Sequence, residues 1–249
     1  MSRRARAAFV FCLAGGFFAN AATGETARKT IWDLVPGAPL AGQPAPNEYR
    51  AYACGARGGP PRRPLKSFAD FASCAPEADG LHEVTFEYDD ELEYIARARD
   101  LEREISLHAG TTEQGYPVVV SALFDAAGVL RGLRLVTDAR PDYRRDVTEA
   151  DTRRRENAHQ FGAVLANRFG VDPAEDCKSS PPADGESAVG SVFVKLDCEK
   201  TDAAAHRRYL LSVRMLRKPG QSGRDPRQPS RLTSGQFESS ARLEIYEAP

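Results

Sequence analysis

Four cysteines constrain how this chain can fold more than any other feature of its sequence. Cys54, Cys74, Cys177 and Cys198 all follow an N-terminal stretch that has the character of an export signal. A fifth cysteine, Cys12, lies in that stretch, so removal of the signal leaves an even number. An even number of cysteines in an exported chain favours disulfide bonds, because compartments outside the cytoplasm oxidise thiols. Four cysteines allow three connectivities. We predict the sequential one, Cys54–Cys74 with Cys177–Cys198, because each of these pairs closes a short loop of similar length.

A zinc site is the alternative interpretation of the same cysteines. It would require a CxxC-like spacing or clustered cysteines and histidines, and the sequence contains neither. The lack of a CxxC motif also argues against thiol oxidoreductase chemistry. Disulfides are therefore the preferred prediction, and each loop of about twenty residues should stabilise the fold by about 3 kcal/mol.

Residues 1–21 are predicted to form a cleavable signal peptide. Three arginines stand among the first six residues, an apolar run follows from Ala7 to Phe18, and Ala19-Asn20-Ala21 offers small residues to a signal peptidase. The run is shorter than the roughly 20 apolar residues that a membrane-spanning helix needs. A buried N-terminal helix is the alternative. We expect cleavage near Ala21 and a mature chain that is periplasmic or secreted.

The charge of the chain argues against two classes of partner. Cleavage removes three arginines and no acidic residue, so the formal net charge moves from −1 to −4. A mildly acidic surface of mixed charges has no general attraction for nucleic acids or anionic lipids. No later stretch is apolar for long enough to span a bilayer. We therefore expect a soluble mature protein with no nucleic-acid partner and no transmembrane segment.

The mature chain divides into two parts of different composition. Residues 22–80 are rich in proline and glycine, which predicts an irregular segment held by the Cys54–Cys74 disulfide. Within it, a short helix at Leu65–Ser73 is expected to point Phe68 and Phe71 inward. A second expectation is an apolar clip that docks on the main domain, formed by Ile31, Trp32, Leu34 and Val35.

Residues 81–249 have the periodicities of an α+β domain with the Cys177–Cys198 disulfide. His82–Tyr88 alternates as a strand, and Leu92–Ile105 has helical spacing. Val118–Phe124 and Val129–Val136 form a hairpin around a turn that contains Gly128. A second helix is predicted from about Glu149 to Phe169.

Three more alternating strands complete the predicted domain. Their inward residues are Val192, Val194, Leu196 and Cys198, then Tyr209, Leu211, Val213 and Met215, then Phe237, Ala241, Leu243 and Ile245. The expected fold is a two-layer sandwich of a mostly antiparallel sheet with two main helices. The order of elements also permits a degenerate repeat, with one disulfide in each half. The polar stretch Lys218–Gly235 is expected to be mobile or a binding loop.

The sequence carries no catalytic motif that stands out. The four histidines are far apart, and neither GxSxG-like stretch has its closing glycine. For an exported hydrolase assembled from distant residues, the candidates are His82, Glu87 and Asp138. No cofactor is predicted.

An acidic run could attract a hard cation such as calcium through its carboxylate oxygens. It consists of Glu87, Asp89, Asp90 and Glu91. Acidic residues also favour the start of a helix, and no EF-hand spacing is present. The cation site is therefore the weaker interpretation, and it leaves a cation-responsive envelope protein as an alternative function.

A basic cluster precedes the second predicted helix and offers a surface for an acidic partner. It contains Arg144, Arg145, Arg153, Arg154 and Arg155. Interleaved acidic residues favour salt bridges within the helix instead. Taken together, these features predict an exported, non-enzymatic module that binds an envelope protein or a small ligand.

Overall fold

The computed structural model describes residues 29–59, 61–88, 98–101, 111–138, 156–221 and 237–248. The predicted signal peptide lies outside these ranges. Within them, nine strands form one sheet in which all neighbouring strands are antiparallel. The strands are β1 (Arg50–Cys54), β2 (His82–Glu87), β3 (Thr112–Glu113), β4 (Tyr116–Phe124), β5 (Leu130–Thr137), β6 (Cys177–Ser179), β7 (Val194–Asp202), β8 (Arg207–Leu216) and β9 (Glu238–Glu247).

The sheet consists of two meanders that meet at its centre. The strand order is β1-β2-β4-β5-β9-β8-β7-β6, and the short β3 pairs with β4. In each half the strands follow one another along the chain from the outer edge to the centre, so β5 and β9 are neighbours. β1 belongs to the segment expected to be irregular, yet it pairs with β2 and extends the sheet.

The predicted alternation in β8 and β9 is confirmed. In β8, Leu211 and Val213 are buried, and in β9 Leu243 and Ile245 are buried, while the residues between them are only partly buried. In this half of the sheet one face is therefore apolar and the other carries mainly polar side chains, which we call the polar face. In β7 the pattern is weaker, because Val194 and Leu196 are only partly buried. The inward position expected for Val192 is wrong, since this residue precedes the strand and is 42% exposed.

The predicted hairpin is also confirmed, and β4 lies in the sheet between β2 and β5. Gly128 has φ +79°, the left-handed conformation that such a turn requires. Asp125 Oδ1 stabilises the same turn by accepting hydrogen bonds from the backbone N–H groups of Ala127 and Val129, each at 2.9 Å.

The prediction of an α+β fold with two main helices is wrong for the described residues, which are mainly β. Their longest helix is α1 (Phe161–Arg168), which follows a 3-10 turn; Phe169 caps its end, and Gly170 with φ +61° comes next. Residues 149–155 of the predicted second helix lie outside the described ranges. Of the predicted first helix only residues 98–101 are described; Ala98 is helical, and Arg99 and Asp100 form a turn directly after it. The described residues are mainly β because long antiparallel strands pair across one sheet, and α1 is stabilised by packing on two of them.

Several short elements cover the apolar face instead. α1 lies against β8 and β9, where a Cβ at Gly162 would overlap the side chain of Val213. The segment expected to form a short helix is a 3-10 helix, Phe68–Ser73. Phe68 is buried against the rings of four other aromatic residues, whereas Phe71 is half-buried. The inward position of Phe68 is therefore confirmed.

The predicted apolar clip docks on the core, with one exception. Ile31 and Leu34 are buried, but Val35 is 47% exposed and does not take part. Trp32 Nε1 donates a hydrogen bond to Glu113 Oε1 at 3.0 Å. The guanidinium of Arg168 lies 4.3 Å from the centre of the Trp32 ring. The clip is thus held by polar as well as apolar contacts.

Both predicted disulfides are present. Cys54 in β1 is bonded to Cys74, which directly follows the 3-10 helix, and Cys177 in β6 is bonded to Cys198, its direct partner in β7. Two disulfides are consistent with folding in an oxidising compartment. Within the described ranges, no helix is both long and apolar enough to cross a membrane.

Candidate functional site

The most unusual feature of the polar face is a buried arginine at the centre of the sheet. Arg134 in β5 pairs directly with Ser121 in β4 and with Glu244 in β9. Its side chain is 2% exposed. Charged groups are rarely buried to this extent unless they are paired. The partners of Arg134 therefore define the candidate site.

Three carboxylates surround the Arg134 guanidinium. Nε donates to Glu244 Oε1 at 2.6 Å, while Nη1 and Nη2 donate to the two oxygens of Glu77 at 2.7 and 3.0 Å. Nη1 also lies 3.0 Å from Glu83 Oε1. The contact with Glu77 is bidentate, which is the stronger and geometrically more specific kind of arginine–carboxylate pair. The loop that carries Glu77 is thereby fixed to the sheet.

Backbone groups and a serine complete the surroundings of Glu83, which is itself buried. The Ser121 hydroxyl donates to Glu83 Oε1 at 2.7 Å. The backbone N–H of Gly58 donates to the same oxygen at 3.0 Å, and the N–H of Arg57 donates to Oε2. A Cβ at Gly55 would overlap the Glu83 side chain. The chain from Gly55 to Gly58 thus forms a close-fitting cradle for this carboxylate.

A second arginine ties the cradle to the centre of the sheet. Arg242 Nη2 donates to Glu244 Oε1 at 2.6 Å, and Nη1 donates to the backbone carbonyl of Arg57 at 2.7 Å. The cluster therefore joins four strands and two loops through Arg134, Arg242 and the three glutamates. We refer to these five residues with Ser121 as the Arg134 cluster.

The cluster shifts the ionisation of its own members. Burial alone would raise the pKa of Glu77, but its bonds to Arg134 and the nearby charges outweigh burial, so that pKa is lowered. The same balance, with Arg134 and Arg242 as partners, lowers the pKa of Glu244. Burial would lower the pKa of Arg134, yet its carboxylate partners raise it. All three groups are therefore held in their charged forms.

These lowered pKa values predict acid-sensitive stability. Because the pKa values of Glu77 and Glu244 are lower in the folded than in the unfolded chain, their contribution is fully present above the unfolded value of about 4.3. It is lost as pH falls through the folded values. Urea unfolding at neutral pH and near pH 3 should show a smaller acid-induced loss for Glu77→Gln than for the unchanged chain. Glu48→Gln, at an exposed position, is the control, and an equal loss in all three proteins would contradict the prediction.

The cradle also predicts the effect of a single methyl group. Gly58 has φ +77° and a Cβ there would overlap a Val136 methyl, whereas Gly80 has φ +83° and no atom within 4 Å of the same position. Gly58→Ala should therefore lower the free energy of unfolding by about 1–3 kcal/mol more than Gly80→Ala. Both variants share the cost of a left-handed alanine. Urea unfolding of the two variants measures the difference in the free energy of unfolding. Equal losses would show that the chain around Gly58 shifts enough to accommodate the methyl group.

The geometry of the cluster favours a structural rather than a catalytic role. The Ser121 hydroxyl is buried and already donates to Glu83, so it is not placed as a nucleophile. The carboxylate oxygens of Glu77, Glu83 and Glu244 accept hydrogen bonds from arginine, serine and backbone donors. Over the described part of the chain, no group of three or more His, Cys, Asp or Glu side chains is arranged to hold a metal ion. What the cluster can do is hold the polar face rigid.

The polar face becomes open to solvent beyond the cluster. Leu210 and Ser212 of β8 are half-buried, and Asp197 of β7 is exposed. Ser212 Oγ and Arg214 Nη2 both donate to Asp197 Oδ1, at 2.8 and 2.6 Å. Arg208 of β8 pairs with Glu199 of β7 at 2.8 Å. We call these six residues the outer polar face.

The structure separates the residues that were candidates for a hydrolase. His82 and Glu87 stand at opposite ends of β2, which places their Cα atoms roughly 17 Å apart. His82 Nδ1 donates to the Cys74 carbonyl at 2.7 Å, and Glu87 pairs with Arg50 at 3.5 Å. Asp138 follows β5, and its backbone N–H donates to Pro117. The three residues do not form one site.

Most of the other predicted site residues lie outside the described ranges. Of the acidic run, only Glu87 is described, and its partner is an arginine. Residues 89–91 and the whole arginine cluster of 144–155 fall in ranges that are not described, as do residues 222–235 of the predicted binding loop.

Sequence reasoning missed the Arg134 cluster, although one signal was available. Arg134 stands within Leu130–Thr137, and the residues on either side of it are apolar. A charge in the middle of a central strand requires partners from elsewhere. Comparisons of the chain with protein-family models, with curated proteins and with solved structures found no match.

Proposed function

We propose that this chain is an exported, non-enzymatic module that binds a partner protein or a ligand in the cell envelope through its outer polar face. The observation that carries the proposal is the solvent exposure of the outer polar face, where the side chains of Asp197, Glu199 and Arg208 are exposed. Alternate side chains of β8 and β9 are packed in the core, while those between them are mostly half-buried, so the core holds these strands in place. Binding sites on rigid elements lose little conformational entropy on association.

The character of the face supports a partner of mixed polarity. Asp197 and Arg214 form one ion pair, Glu199 and Arg208 form another, and Leu210 lies between them as an apolar centre. Balanced charges of both signs favour specific pairing over general attraction to a polyanion. The two disulfides support the assignment to an oxidising compartment.

Photo-crosslinking in the organism that encodes the chain tests this proposal. A photoreactive phenylalanine at Ser212 should give a discrete adduct with another molecule of the envelope. The same group at Glu48, which is exposed and lies outside the sheet, is the control and should not give that adduct. Identical adduct patterns at Ser212 and Glu48 would count against binding by the outer polar face.

A further inference from the structure

The two outer edges of the sheet differ in a way that indicates how a partner binds. At the β1 edge, the chain covers itself with the segment Arg62–Leu65, which we call the strap. The Cys54 N–H donates to the Arg63 carbonyl at 2.8 Å, and the Arg62 N–H donates to the Cys54 carbonyl at 2.9 Å. The Leu65 N–H donates to Tyr52 at 2.8 Å. The strap therefore bonds to the outward N–H and C=O groups of Cys54 and to the Tyr52 carbonyl, and it runs antiparallel to β1.

The β6 edge occupies a place in the sheet equivalent to that of the β1 edge. A twofold axis that passes between Arg134 and Glu244, perpendicular to the sheet, relates the strand register of one half to that of the other. On one side the row beside this pair is Leu133, Ala122, Val84 and Cys54, and on the other side it is Leu243, Leu211, Cys198 and Cys177. Cys177 of β6 thus occupies the place that Cys54 has in β1.

The backbone groups at this equivalent place face outward. β6 is joined to β7 by hydrogen bonds from Ser180 N–H to Lys195 and from Glu199 N–H to Asp176, each at 2.9 Å. Because alternate residues of a strand bond to opposite sides, the N–H and C=O groups of Cys177 and Ser179 point away from β7. Among the described residues, no backbone group is bonded to them.

The apolar layer is also less complete at the β6 edge. Tyr52 and Cys54 near the strap are 6% and 7% exposed. Near the β6 edge, Cys177, Val194 and Leu196 pack against the core but are only partly buried. A strand added beside β6 would direct alternate side chains toward these residues.

From these observations we propose that β6 accepts an extended segment of a partner protein, which runs antiparallel to it and occupies the place that the strap has at β1. Addition of a strand to an exposed sheet edge is an established mode of peptide recognition. The segment would carry apolar residues at alternate positions, facing Leu196 and Val194. This inference rests on the proposed function, since it names the kind of partner and where it docks.

A second copy of the chain is a poorer occupant of this edge. A symmetric antiparallel pairing through Cys177 and Ser179 would be centred on Lys178 and would place the two Lys178 side chains directly opposite each other. Like charges at such positions are destabilising. An adduct between two copies is therefore an outcome that overturns the proposal.

The test places the photoreactive phenylalanine at Lys178, whose side chain is exposed beside the edge. We expect an adduct with one partner protein, and we expect Ser179→Pro to lower its yield about tenfold. Proline removes the outward N–H of residue 179, where β6 does not bond to β7, and edge strands tolerate proline at such positions. Ser179→Ala keeps the N–H and should keep the yield. Circular dichroism melting shows whether the proline variant is folded.

A synthetic peptide with the crosslinked sequence gives a second measurement that needs no variant. Hydrogen exchange at the Cys177 and Ser179 amides of the unchanged protein should slow when the peptide is added. Unchanged exchange, an adduct between two copies, or equal yields from the proline and alanine variants would each overturn the proposal. If Ser212 gives an adduct and Lys178 does not, the edge inference fails while the proposed function stands. If neither position gives one, both fail.

Discussion

Replacing Arg134 by methionine is expected to lower the free energy of unfolding by about 3–5 kcal/mol, because breaking a buried ion pair leaves charge without compensation. The side chain is 2% exposed and bonds to Glu77 and Glu244 while it lies beside Glu83. Methionine preserves much of the volume and removes the charge. Three carboxylates would then face one another, with Arg242 near Glu244 and Arg57 near Glu77 as the positive charges that remain.

The same strand supplies a matched control for this variant. Arg131 is also in β5 and also pairs with two carboxylates, Asp125 and Glu247, but its side chain is 44% exposed. Arg131→Met should cost far less, since ion pairs at the surface contribute little. Urea unfolding monitored by circular dichroism measures both changes. Similar losses for the two variants would show that burial of the Arg134 cluster does not make it important for stability.

A second substitution tests whether charge is the cause of the expected loss. Adding Glu83→Gln to Arg134→Met removes one of the uncompensated charges and keeps an oxygen that accepts from Ser121. The double variant should therefore be more stable than Arg134→Met alone. If it is less stable, the arginine stabilises the fold through packing and not by neutralising the carboxylates.

Removing the Cys54–Cys74 disulfide by replacing both residues with alanine is expected to cost about 3 kcal/mol. The bond closes a loop of 20 residues that contains one short 3-10 helix and the strap. That loop has little core of its own, although Phe68 within it packs on four aromatic rings. Without the bond, ordering the loop lowers chain entropy with few contacts to offset it.

The other disulfide provides the comparison for this variant. Cys177 and Cys198 are 21 residues apart and join two strands that are already hydrogen-bonded. The chain-entropy argument gives both bonds nearly the same contribution. The structure predicts a larger loss for Cys54→Ala/Cys74→Ala, because β6–β7 hydrogen bonds still hold the ends of the other loop together, whereas Cys74 is not in a strand. Urea unfolding of both double variants decides between these expectations. A larger loss from Cys177→Ala/Cys198→Ala would contradict the structural argument.

Local patterns in the sequence were sufficient to predict most of the strands. Alternation in β2, β8 and β9 predicts which side chains face the core, because side chains point to opposite faces with a period of two. Gly128 marks the hairpin turn, since it is free to adopt positive φ. The spacing of the cysteines favoured, among three connectivities, the disulfide pairing that is present. These features depend on residues near one another in the chain.

The same patterns failed where distant contacts decide the outcome. Glu83 alternates as a solvent-facing residue of β2, yet it is buried, because the loop at Arg57 and Gly58 covers it. β1 stands in a segment rich in proline and glycine and becomes a strand only because β2 offers it a partner. Neither the burial of Glu83 nor the formation of β1 can be read from the alternation of residues along a short stretch of sequence.

The sequence by itself determined six of the nine described strands, β2, β4, β5, β7, β8 and β9, together with the hairpin turn, and it favoured the cysteine pairs, because each depends on residues near one another in the chain. Only the tertiary structure decided that two meanders share one sheet, that Arg134 gathers three carboxylates at its centre, and that β6 is left as an edge. Those outcomes depend on which distant residues meet, and burial of a charge is stable only when its partners arrive from other parts of the chain.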